Sequence, residues 1–248
     1  MSASLARDAR RLPLTGSTFI RALAALNDAP ASVAPDAFAQ RLAEWFDWTH
    51  AFSLSAALSD ATARSDVPAF GGTGALGADE REFARVRAAL GKTIADAPNG
   101  VVETRRVNRP LAGAVAPAET PVDFATYRQR YCACQLAMET QIVPLRRRLR
   151  STLSDRSGAL AKLAELDIVM EQVVGAQERA LLATVGARLE PRFDQLRAAQ
   201  DDAPVQPGPW LERFRQEMRG LLLAELDLRL QPLEGLLEAC RQSLQKRS

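Results

Sequence analysis

The sequence predicts an all-α fold, and three observations predict it. From Val122 almost to the end, apolar residues recur at helical spacing. Prolines and glycines gather between the periodic stretches, where they punctuate loops. No run alternates apolar with polar residues as a half-buried strand does, and Val101–Thr104, the one extended-looking stretch, has nothing to pair with. The expected architecture is a helical bundle, with long Pro-interrupted helices in the C-terminal half and shorter helices in the N-terminal part.

A short helix is expected over Phe19–Asn27, with Ser17 or Thr15 as its cap and Phe19, Ile20, Leu23 and Leu26 as apolar residues. After Pro30 and Pro35, Asp36 opens a longer helix to about Asp60, with Phe38, Leu42, Trp45, Phe46, Phe52 and Leu58 broadly at helical spacing. Residues 62–78 are rich in Gly, Ser and Thr and read as loop. A third helix follows from Asp79 to about Ala97, placing Phe83, Val86, Leu90 and Ile94 on one face. Pro98 to Pro121 then reads as a linker. The division is residues 1–97 as an N-terminal helical region, 98–121 as a Pro/Gly/Ala-rich linker and 122–248 as a C-terminal bundle of long helices.

That bundle is expected to hold three helices. The first ends near Ser154, with Phe124, Tyr127, Tyr131, Met138, Ile142, Leu145, Leu149 and Leu153 as its stripe. The second runs from about Ser157 to Gln200, where DDAPVQPGP stops it, with a stripe from Leu163 through Leu166, Met170, Val173, Gln177, Leu181 and Val185 to Leu196. The third begins at Pro209 or Trp210 and ends near Gln245, with a stripe from Leu211 to Leu244. Each of the last two stripes covers 33 residues in nine steps, a period nearer a straight helix than a left-handed coiled coil, which favours an antiparallel bundle over a rod. Pro144, Pro191 and Pro232 fall inside these patterns, where proline costs about 3 kcal/mol or kinks a helix, so each long helix is expected to bend there or break into two. One phrase occurs twice, LLATVGARLEP at Leu181–Pro191 and LLAELDLRLQP at Leu222–Pro232, as expected of helices burying the same kind of stripe.

A length of 248 residues suffices for one or two domains with a real core. The net charge of +2 sets up no strong field toward nucleic acid or anionic lipid. Cys132, Cys134 and Cys240 read as reduced core or near-core residues of a cytoplasmic protein. No segment resembles a signal peptide or approaches 18 apolar residues, so direct membrane insertion is not expected.

Motifs that carry chemistry are weak. Gly72, Gly74 and Gly77 match G-x-G-x-x-G, but no strand precedes them, so the run reads as a loop. Gly91-Lys92-Thr93 lacks the upstream glycine of a phosphate-binding loop. Glu44, Asp47 and the single histidine, His50, share one flank of a helix, yet one histidine cannot build a zinc site, and Ser53 or Ser55 next door reads as coincidence rather than a nucleophile. No catalytic, cofactor-binding or metal-binding residue is assigned. Trp45, Phe46, Trp48 and Phe52 read first as buried core, but four rings are hard to bury on one side of one helix. Trp45, Trp48 and Phe52 are therefore candidate partner-binding residues. Arg146, Arg147 and Arg150 of the basic run join them, as a solvated face or a contact for acidic residues of a partner.

The phrases LTGSTFIRALAALND (Leu14–Asp28), FAQRLAEWFDWTHAFSLSAALS (Phe38–Ser59), RYCACQLAMETQIVPLRRRLR, LAELDIVMEQ and LLLAELDLRLQPLEGLLEA occur in order along the chain. On them the sequence resembles an uncharacterised proteobacterial family catalogued as domain of unknown function 3348. The resemblance covers most of the chain outside the linker and implies no activity. It implies an accessory cytoplasmic role beside a membrane-associated complex. The expected function is therefore a non-enzymatic cytoplasmic scaffold or adaptor that binds a protein partner through helix packing, with homo-oligomerisation also open. The alternatives are a nucleic-acid-associated regulator using Arg146–Arg150, disfavoured by the balanced charge, and an enzyme with a carboxylate/His site near Glu44–His50. If the adaptor reading holds, the apolar stripes should exceed what one bundle can bury.

Overall fold

The computed structural model describes residues 17–26, 55–56, 73–98, 123–199 and 208–245, and seven helices are bounded among these described residues. They are α1 (Thr18–Leu26), α2 (Thr73–Asp96), α3 (Phe124–Ser154), α4 (Gly158–Ala183), α5 (Val185–Arg188), α6 (Glu190–Ala198) and α7 (Pro209–Gln245). Among the described residues there is no strand, and the fold is all-α with its long helices in the C-terminal half. The expected helix over Asp36–Asp60, apart from Ser55 and Ala56, and the linker beyond Pro98 lie outside the described residues.

Local chemistry accounts for the helix starts. Ser17 Oγ accepts from the Ile20 amide, Asp123 from the Ala125 amide, and Ser157 from the Leu160 amide. Each satisfies one of the amides that a helix N-terminus leaves without a partner. One start differs from expectation. Helix α2 begins at Thr73 rather than Asp79, taking Gly74 and Gly77 into its first turns. Burial of Leu76 and of Asp79, which pairs with Arg148 on α3, outweighs the weak helix propensity of those glycines.

Polar contacts define the directions. The Ala95 carbonyl accepts from Arg219, Arg87 bridges Asp227 and Glu234, and Glu80 meets Arg241, so α2 runs antiparallel to α7. It is antiparallel to α3 as well, from Arg130 at the Pro98 carbonyl to Arg148 at Asp79. Helix α4 opposes α3, with Gln135 donating to the Leu182 carbonyl at one end and Arg146 and Arg150 gripping Asp167 at the other. Helices α3 and α7 therefore lie parallel and pack directly on each other, α2 and α4 each pack on both, and α1 and α6 lie on α7.

The core follows the α3 and α7 stripes closely. Every residue expected on the α3 stripe is buried, and so is every one on the α7 stripe except half-buried Leu244. Helix α7 buries more than its stripe, since Leu221, Ala224 and Leu236 are also covered by helices on several sides. At one end, Phe193 stacks edge-on to Phe214 and Trp210 and at a tilt to Phe124 and Tyr127. Such pairs contribute about 0.5–1.5 kcal/mol each beyond the area they bury.

The prolines resolve in two ways. Helices α3 and α7 continue through Pro144 and Pro232, held by buried Ile142 and Leu145 around the first and Leu230 and Leu233 around the second. The single helix expected over Ser157–Gln200 is instead interrupted at Thr184 and Leu189, and Pro191 opens α6 at a position where its missing amide is harmless. Its expected stripe holds at Val173, Val185, Leu189, Phe193 and Leu196, all buried, and is corrected over the rest of α4. In α4, Leu160, Ala164, Val169, Val173 and Leu182 are buried, whereas Met170, Gln177 and Leu181 are exposed.

Candidate functional site

A carboxylate sits where the sequence reads as core. Glu225 on α7 is 0% exposed, in the run LLLAELDL. The Tyr131 hydroxyl donates to it at 2.7 Å, and the Gln135 amide reaches both oxygens at 3.1 and 3.2 Å. Arg229, one turn later on α7, donates through Nε at 2.9 Å and Nη2 at 2.8 Å. The same Gln135 amide donates to the Leu182 carbonyl at 2.9 Å, just before α4 ends. The network thus ties α3, α7 and the end of α4 together with its carboxylate fully partnered, as a buried charge requires.

Its chemistry is that of a lock. Burial, and then the charge of Glu225, push the Tyr131 hydroxyl well above the ordinary tyrosine range. The same two causes raise the nearby Cys134 thiol to about 11. Both shifts favour the protonated form, the opposite of what activates a nucleophile.

A second cluster joins α3 to α4. Asp167 accepts from Arg146 through Nε at 2.9 Å and Nη2 at 2.6 Å, and from Arg150 Nε at 2.6 Å. Arg150 also meets Glu171 at 2.7 Å. Burial raises the Asp167 carboxyl, but the two guanidiniums outweigh it and hold the group below its ordinary range. Arg146 and Arg150 thus face acidic residues of their own chain, and Arg148 faces Asp79. Arg147 is exposed. The structure therefore divides the basic run between the bundle interior and solvent. Glu44, Trp45, Asp47, Trp48, His50 and Phe52 lie outside the described residues.

Beside this cluster, Arg146, Glu171, Arg179, Arg229 and Pro232 line a cleft with a cavity of ≈ 60 Å³, room for little more than water. Among the described residues, no group of three or more His, Cys, Asp or Glu side chains is placed to hold a metal ion. The cysteines are free, with Cys134 and Cys240 buried and Cys132, expected in or near the core, exposed. The residues of Gly72–Gly77 from Thr73 onward are helical, and Gly91-Lys92-Thr93 lies within α2, so neither forms a phosphate-binding loop.

The more telling surface is the outer side of α4. Spacings of seven and eleven residues bring Leu163, Met170 and Leu181 to one side of the helix, with Leu166 and Val174 beside them. Leu181 is 55% exposed and Met170 39%, while Leu163, Leu166 and Val174 are only partly covered. Leu136 on α3 is 65% exposed, and it lies at the level of Leu181 because its neighbour Gln135 bonds to Leu182. Helix α4 therefore carries apolar side chains on this side as well as its buried ones, with exposed Gln177 between Met170 and Leu181.

Sequence reasoning missed Glu225 and Asp167. Each had a signal, a carboxylate inside a largely apolar run (LLAELDL and LAELDIVM), but each run holds a second carboxylate, and apart from Arg229 the partners lie 17 to 94 positions away. No described helix is long and apolar enough to cross a membrane. No curated protein and no solved structure matches the chain. One family profile does, over residues 5–242, and the chain belongs to that family, described as "Protein of unknown function (DUF3348)".

Proposed function

We propose that this chain is a non-enzymatic scaffold or adaptor that binds a protein partner by helix packing against the outer face of α4. The observation that carries this reading is the apolar area the bundle leaves uncovered at Met170 and Leu181 on α4, with Leu136 exposed on neighbouring α3. Large apolar side chains left exposed on one helix face mark a candidate interaction site. The two polar networks beneath support the same reading, since they hold α4 against α3 and α7 and keep its outer face in place. Free cysteines support a reducing, cytoplasmic setting. The nucleic-acid alternative is weaker, because phosphate binding by Arg146 and Arg150 would require breaking their ion pairs with Asp167 and Glu171.

The test places a photocrosslinking residue at Met170 or Leu181 of the full chain in its native host, with exposed Gln216 as control. The expected result is one discrete crosslinked protein from the two α4 positions and none from Gln216, with loss of the Met170 product in Leu181→Glu at unchanged thermal stability. A product made of two copies of this chain would identify the partner as the chain itself. No crosslink from either α4 position, or a Met170 crosslink indifferent to Leu181→Glu, would overturn the proposal.

A further inference from the structure

We draw no further inference here: the strongest candidate, the outward apolar face of α4 around Met170 and Leu181, belongs to the surface already described, and nothing in the structure shows what covers it.

Discussion

Thr184 and Glu225 hold the same place in two copies of one phrase, yet Thr184 ends a helix at the surface while Glu225 is buried midway along another. The copies were expected to bury the same kind of stripe, and they do so at Val185 and Leu189, buried like their counterparts Leu226 and Leu230, but not at their start. Leu181 is exposed where its counterpart Leu222 is fully buried, and Leu182 is buried where Leu223 is 40% exposed. In the first copy the Thr184 hydroxyl bonds back to the Leu181 carbonyl at 2.7 Å. In the second, a glutamate finds Tyr131, Gln135 and Arg229 around it.

Glu225→Ala leaves the Arg229 guanidinium, the Tyr131 hydroxyl and the Gln135 amide without their shared acceptor. The predicted loss is about 3–5 kcal/mol of stability, the range for breaking a buried ion pair from one side. Urea unfolding of the variant checks it, and a loss below about 1 kcal/mol would show that the network relaxes around the gap.

Acid should weaken the α3–α4 contact. The folded-state pKa of Asp167 lies below its ordinary 3.8, so its contribution is present above that value and disappears as pH falls through the depressed one. Asp167→Asn should therefore be less stable than the parent near neutrality, and the two should converge in strong acid. Unfolding midpoints across that pH range decide it; a gap independent of pH would assign the effect to packing.

Alkaline pH acts through Cys134. Its thiol titrates at about 11 in the folded chain against an ordinary 9.0, so stability should fall as pH rises between these values, where only the unfolded chain ionises. At neutral pH a thiol alkylating agent should modify exposed Cys132 and leave Cys134 and Cys240 until the chain unfolds. Peptide mass spectrometry reads this directly, and early labelling of Cys134 would contradict its burial.

Pro144→Ala and Pro232→Ala should stabilise the chain by about 1–3 kcal/mol, because each restores an amide inside a continuous helix. Pro191→Ala should change little, since its ring sits in the first turn of α6. Thermal unfolding of the three variants tests the contrast. A large gain at Pro191 alone would reverse the account of the helix break.

Gly186 on α5 faces α3, where an added Cβ would meet Tyr131 Cδ1 at 3.5 Å and the Cys132 sulfur at 3.7 Å, ordinary contact distances. Gly186→Ala is therefore predicted to be neutral or to stabilise by up to about 1 kcal/mol through helix propensity. Destabilisation beyond about 1 kcal/mol would mean that α5 lies closer to α3 than these distances imply.

The sequence by itself determined the all-α class and the stripes of α3 and α7, and narrowed the α1 cap to Ser17 or Thr15. All of these rest on periodicity and side-chain chemistry within a few residues of each other. Tertiary structure decided which side of α4 is buried, where the Ser157–Gln200 stretch breaks, and how early α2 begins. It also decided the candidate site. Tyr131 and Glu225 are 94 positions apart and Arg148 and Asp79 are 69 apart, so only packing makes them partners. A helix that is apolar on several sides offers several faces to bury, and the choice among them belongs to its neighbours.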